Sequence, residues 1–212
     1  MRNRCLKRAA GVAAIVALAM PACAAALEFT PSDILSWQSE SIQGKTTYTL
    51  DGEALRGRCS EGASGLVLKR KIDLRATPVI TWSWRVDAVF DPAIDERSKA
   101  GADFPARLTV VRGSTLAPWR AHAISYVWAS QAPTGSSWLH PFTPQVHMIA
   151  LRSGASPAPG GWVSEQRNIA EDFRRYHGRD VEAIDAVAIM TDCDNRAEPA
   201  EAWYGPVRFL EK

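Results

Sequence analysis

Val79–Val86, reading VITWSWRV, alternates without a break. Ile80, Trp82, Trp84 and Val86 fall on one side of an extended chain, and Thr81, Ser83 and Arg85 on the other. Side chains along a strand point to opposite faces in turn. Two indoles and two aliphatic groups thus share a face that has to be covered, while the opposite face suits water or a ligand. A helix, with its period of 3.6, does not gather that set on one side. The same alternation recurs. Leu66, Leu68, Arg70 and Ile72 stand against Val67, Lys69 and Lys71, and His122, Ile124, Tyr126 and Trp128 against Ala123, Ser125 and Val127. Residues 46–50 are rich in β-formers and stop at Asp51-Gly52, a hairpin signal. Further strands are expected over residues 54–59, 108–111, 145–151 and 162–166, with a turn or short strand around Pro31.

One segment reads as a helix, around residues 169–177. Asn168 is a suitable N-cap with Glu171 three residues on. Ile169, Phe173 and Tyr176 share a side, Arg174, Arg175 and His177 crowd the C-terminal turn, and Gly178 supplies the stop. The last long stretch, residues 184–209, holds two apolar runs separated by Thr191-Asp192-Cys193-Asp194-Asn195 and a short acidic loop. It reads as two strands that cross the core and hold an acidic cluster at their shared end. About nine or ten short strands with Gly/Pro turns and one short helix predict an all-β fold: an antiparallel β-sandwich of jelly-roll type.

The chain before this domain has a different character. Arg2, Arg4, Lys7 and Arg8 precede an apolar core over residues 9–20, and Ala22-Cys23-Ala24 fits the small-x-small cleavage rule. The core is about a dozen residues long, against the ~20 that a membrane span needs. A signal peptide over residues 1–24 and a single domain over 27–212 are expected, exported to the periplasm or beyond, with no transmembrane helix in the mature chain. Residues 1–24 carry four of the 25 Lys and Arg and none of the 23 Asp and Glu, which leaves 21 basic against 23 acidic, a net charge of −2. Such a domain lacks the electrostatic footprint of a nucleic-acid binder. Cys5 and Cys23 leave with the signal. Cys59 and Cys193 remain, and either join in a disulfide or stand as two buried thiols; spacing alone does not choose between them. No Cys/His cluster of zinc-site spacing is present.

Six motifs in order carry a family resemblance: Trp82-Ser83-Trp84-Arg85-Val86, residues 99–107 (KAGADFPAR), Tyr126-Val127-Trp128, Glu165-Gln166-Arg167-Asn168, residues 190–195 (MTDCDN) and Ala202-Trp203-Tyr204-Gly205. Over residues 28–210 the chain resembles the bacterial family called domain of unknown function 3047. This sequence departs from the family's pattern with Ala102 and Cys193 where Asp and Thr are expected. The resemblance implies a secreted β-sandwich similar in outline to carbohydrate-binding modules, and no reaction.

Three constellations can carry chemistry. Asp192, Asp194 and Asn195 offer oxygen ligands at i, i+2 and i+3 in a loop, a set that can hold a structural Ca²⁺ or simply cap the strand with Asx-turns. Arg85, Lys99, Asp103 and Arg107, with Asp172, surround a long charged loop over residues 90–101 that is expected to be mobile, functional or both. Asp103 and Arg107 either form an ion pair or line a polar cleft for an anionic or hydroxylated ligand. Among the tryptophans, Trp82, Trp84 and Trp203 are assigned to the core, while Trp119, Trp138 and Trp162 lie in turn-rich segments and are expected to be exposed, where a flat ring can stack on a sugar. No Gly-x-Ser-x-Gly elbow or phosphate loop appears. The reading that follows is a non-catalytic binding module for a glycan or another envelope component, with no catalytic residues assigned. Its alternatives are a polysaccharide lyase or hydrolase using Asp103, Arg107 and His147, or a structural domain with no small ligand.

Overall fold

The computed structural model describes residues 25–113, 121–156, 161–196 and 198–211. The expected signal peptide and Trp119 lie outside the described residues. In chain order the strands are β1 (Ala25–Phe29), β2 (Gln38–Gln43), β3 (Thr47–Asp51), β4 (Ala54–Cys59), β5 (Ala63–Asp73), β6 (Val79–Val86) and β7 (Ala106–Arg112). They continue as β8 (His122–Ala129), β9 (Ser137–Leu139), β10 (Val146–Ser153), β11 (Val163–Asn168), β12 (Ala183–Asp192), β13 (Ala200–Tyr204) and β14 (Val207–Leu210). Two sheets result. The first runs β1-β14-β6-β13-β4-β3, with β11 on the other edge of β6, and the second runs β2-β5-β12-β7-β8-β10-β9. The fold is a mainly antiparallel, jelly-roll-like sandwich. Among the described residues its one parallel pair is β8 with β10. Residues 130–145 pass out through β9, which becomes the sheet edge, and return between β8 and β9; parallel neighbours need such a crossover. No helix among the described residues is long and apolar enough to cross a membrane.

The strand that reads most clearly in the sequence sits at the centre of the first sheet. β6 pairs with β11 along one edge and with both β13 and β14 along the other. Ile80, Trp82, Trp84 and Val86 all face the second sheet and are fully or almost fully buried. Trp82 and Trp84 meet edge to face at 5.4 Å, and Trp84 meets Trp128 of β8 at 5.9 Å. Edge-to-face packing puts the positive ring edge on the negative ring face, so the indoles form an ordered layer between the sheets.

Two helices close the ends of the sandwich. α1 (Pro31–Leu35) is a correction to the turn or short strand expected there. Thr30 and Asp33 cap each other reciprocally and Pro31 stands at the first helical position, a start signal that a five-residue helix leaves little room to read. α2 (Ile169–His177) forms where the sequence places it. The Asn168 side chain accepts from the Glu171 N–H, and Gly178 takes the left-handed conformation at φ 61° that ends the helix. Ile169 and Phe173 bury its inner face.

Residues 184–209 do run through the middle of both sheets. β12 lies between β5 and β7, and the chain then crosses over to supply β13 and β14 to the first sheet. The crossing is tied by a disulfide between Cys193 and Cys59, the residue that ends β4. Phe90 and Ala200 pack around it. At the far end of the same stretch β14 pairs with β1, Leu210 opposite Ala25.

The long charged loop is tied to the rest of the fold by buried hydrogen bonds. Glu96 is fully buried, and its carboxylate accepts from the backbone N–H groups of Ser130, Gln131 and Ala132. Arg196 donates to the carbonyls of Asp91 and Ile94. The loop lies over the outer side of the second sheet, where Phe104 joins Val127, Ala129, Trp138 and Met148 in a second small core. Gly101 lies against the backbone there: a Cβ would come 2.2 Å from the Asp95 carbonyl oxygen and 3.0 Å from Glu96 Cα. Gly101→Ala is expected to push the loop off its seat and cost about 1–3 kcal/mol, as overpacking does, read as a lowered denaturant midpoint.

Candidate functional site

The acidic knot forms, but under the pinned loop. Asp192 is buried, accepts from Arg107 Nη2 at 2.7 Å and from the Phe104 N–H at 3.3 Å. Asp103 accepts from the Asn195 N–H at 2.7 Å, from Asn195 Nδ2 at 2.7 Å and from the Arg196 N–H at 2.8 Å. Carboxylate oxygens of Asp103, Asp192 and Asp194 lie within 4.8 Å of one another. Burial pushes the Asp192 carboxyl up to about 7, against the pull of Arg107 and with the Asp103 charge adding to the rise. Burial and Asp103 raise Asp194 as well.

This changes the roles expected of the residues. Arg107 pairs with Asp192, not Asp103, because Asp103 already satisfies three donors of the turn that follows β12. Asn195 turns its amide onto Asp103 instead of offering an oxygen. With a guanidinium on Asp192 and Asp103 so engaged, the set does not present the six to eight free oxygens that Ca²⁺ takes. The knot fastens the crossing between sheets.

The other predicted residues do not converge. Lys99 stands 5.3 Å over the Phe142 ring. Trp138 is buried, not exposed, because it packs on Phe104 at 6.2 Å beneath the loop. Asp172 is buried on α2, where Tyr126 Oη and Arg167 donate to it. His147 lies on the core-facing side of β10, whereas Arg107 projects from the other side of that sheet, so the lyase or hydrolase set is not assembled.

Arg85 and Trp162 come together on the outer face of the first sheet. Trp203 pairs with Arg85 across β13 and β6, and with Arg56 across β13 and β4. Trp203 is buried, at 5 % exposure, but on the outer side of the sheet beneath the Arg85 and Arg56 guanidinium groups, and Tyr204 is the residue that faces the inter-sheet core. The Arg85 guanidinium lies 3.7 Å from the Trp203 ring centroid, a cation–π contact, and Trp203 Nε1 donates to Asp51 at 2.8 Å. Trp162 directly precedes Val163, which pairs with Trp84, and is 45 % exposed. Ser83 and Gly205 line one cleft with these residues. Gly205 lies over Ser83 so closely that a Cβ would meet the Ser83 hydroxyl at 2.1 Å.

The result is an open cleft of about 390 Å³ lined by Asp51, Glu53, Ser83, Arg85, Trp162 and Trp203. A second depression shares Ser83 and continues over Thr81, Ser164 and Arg208, and a third shares Glu53 and Pro206 and continues to Pro31. The three depressions adjoin through these shared residues. Sequence reasoning missed Asp51, Glu53, Ser83 and Trp203. Arg85, next to the last residue of the VITWSWRV strand, was the available signal, since whatever pairs with it shares its outward face.

A two-layer sandwich, one sheet covered by a folded-back loop and the other open along a polar, tryptophan-bearing face, places the molecule among the jelly-roll-like β-sandwich proteins. The chain belongs to the family described as Protein of unknown function (DUF3047), whose profile matches residues 35–208. No curated protein matches the sequence. Among solved structures it is similar to a low-affinity xylan-binding module, CBM86, from Roseburia intestinalis, at 16% identity, covering 88% of this chain and 95% of that one with a TM-score of 0.39. It is similar also to the family 30 carbohydrate-binding module of a cellulosomal cellulase of Clostridium thermocellum, at 8% identity, covering 88% and 98% with a TM-score of 0.45. A third is TmCBM61 in complex with β-1,4-galactotriose, at 9% identity, covering 84% and 90% with a TM-score of 0.37. At such identities and scores a likeness is one of outline and carries nothing about the ligand.

Proposed function

We propose that the protein is a non-catalytic binding module that holds a glycan chain along the outer face of its first sheet. The observation that carries this reading is a half-exposed Trp162 in one open cleft with the Ser83 hydroxyl, Arg85 and the carboxylates of Asp51 and Glu53. A pyranose has one face of C–H groups and a rim of hydroxyls. The indole covers the first, and the charged groups bond the second, in keeping with the mix of aromatic surface and a few placed polar groups that small-ligand sites use. Two further depressions adjoin the cleft, which suits an extended polymer. The basic and apolar leader, together with a disulfide that persists only in an oxidising compartment, supports export to the periplasm or the cell exterior.

Binding to immobilised polysaccharides tests this. Trp162→Ala is expected to weaken binding about thirtyfold, the ~2 kcal/mol typical of a tryptophan hot spot, with the melting temperature unchanged. The same polysaccharides should gain no reducing ends on incubation. Affinity for no glycan, or equal affinity in wild type and variant, would sink the assignment.

A further inference from the structure

The open cleft does not balance its own charges. The cation that lines it, the Arg85 guanidinium, is already answered: it lies 3.7 Å from the Trp203 ring centroid and 3.3 Å from an Asp87 carboxylate oxygen. In the adjoining depressions Arg208 pairs with Glu28 at 2.8 Å, and Glu165 is held by Arg152 at 2.7 Å. Asp51 and Glu53 are different. Among the described residues neither forms an ion pair. The donor to Asp51 is neutral, the Trp203 Nε1–H at 2.8 Å. Arg56 feels the Asp51 charge, but its own ion pair is with Glu201, at 2.6 Å. Glu53 stands exposed in the two-residue turn between β3 and β4. A ligand entering the cleft therefore meets negative charge that the fold leaves uncompensated, and a concave site concentrates such a field.

The half-exposed Trp162 ring lines the same cleft. A pyranose that carries an ammonium group suits both features. Its C–H face and its positive charge each favour an indole face, and its N–H groups are charge-assisted donors to a carboxylate. A uronic acid brings one more anion to the same place, where like charges oppose binding.

We infer that the cleft selects a polysaccharide of amino sugars with free, protonated amines, Asp51 and Glu53 taking the ammonium group while Trp162 covers the ring. This rests on the glycan-binding reading above and adds the charge of the ligand to it. The ion pairs form at an open surface, where each is worth at most about fivefold in affinity, and salt screens them.

The test titrates the purified, disulfide-intact chain with β-1,4-linked oligomers of equal length, built from glucosamine, N-acetylglucosamine or glucose. Mildly acidic buffer keeps the free amine protonated. The three share a backbone, so their differences report the substituent at C2. The glucosamine oligomer is expected to bind about tenfold tighter than the other two at low salt, and only about twofold tighter in about 0.5 M salt. Glu53→Gln and Asp51→Asn are each expected to cut the low-salt ratio to about threefold; the first lies in an exposed turn, where the change leaves the fold alone. Equal affinity for the three oligomers, a ratio that both variants leave unchanged, or affinity for other polysaccharides alone would overturn the inference and leave glycan binding standing. Affinity for no glycan takes both down. Oligolysine held as tightly as the glucosamine oligomer would show that charge alone is read, and would overturn the inference too.

Discussion

Reducing the Cys59–Cys193 bond, or replacing either cysteine by serine, is expected to lower the unfolding midpoint by about 10–15 °C. The bond joins residues 134 apart in sequence. In the chain-entropy account a loop of that order restricts the unfolded chain enough to contribute roughly 4–5 kcal/mol, and each kcal/mol is worth roughly 2–4 °C in a chain of this length. It also joins the end of β4 in one sheet to the end of β12 in the other, where Phe90 and Ala200 close over the sulfurs. Thermal melts with and without reductant check this. Coincident transitions would mean that burial around the crossing, and not the covalent tie, holds the two layers in place.

Arg107→Leu is expected to cost about 3–5 kcal/mol at pH 8, the usual loss when one partner of a buried ion pair is removed, and clearly less at pH 5. The difference comes from Asp192. Its carboxyl is raised from 3.8 to about 7 in the folded chain, so between those values the folded state keeps a proton that the unfolded state releases. A raised carboxyl contributes stability that is complete at low pH and is lost as pH climbs through the folded value. In the wild type this makes the knot weaker above neutrality. In the variant the pull of Arg107 is gone and the carboxyl rises further, so at pH 8 the folded state has to keep a proton that the unfolded state releases, a cost that is absent at low pH. Denaturant midpoints of both proteins at pH 5 and pH 8 decide the matter, and a variant penalty independent of pH would show that Asp192 does not titrate as described.

How much of this was readable in advance follows from the range of each interaction. The alternation of Val79–Val86 and the caps of α2 are local, decided within a few residues, and both formed as read. Trp203 was placed in the core, with Trp82 and Trp84, because it sits in an alternating strand; it is buried, but on the outer side. Whether it or Tyr204 faces inward depends on the register of β13 against β6, and no local pattern holds that. Arg107 was matched with the nearest carboxylate in sequence, whereas its partner Asp192 lies 85 residues away. Glu96 is one of several charges in the long loop, with nothing local to mark it out. Its partners are backbone N–H groups of residues 130–132, which every sequence has and none advertises. Trp138 went wrong for the same reason, since the loop that covers it is held down by that carboxylate. The cleft was half legible: Arg85 and Trp162 were named from the sequence and the structure brings them to one cleft, but the loop ends that complete it come from β3 and β14, which are far apart in the chain.

Because β1 and β14 run side by side with Ala25 opposite Leu210, the described chain starts and finishes at a single spot. Such a body can hang from one stalk, or be spliced into a neighbour's surface turn, without opening the gap there by more than a strand's width, about 5 Å. A tether at that corner leaves the rest of the module free to swivel over whatever it grips.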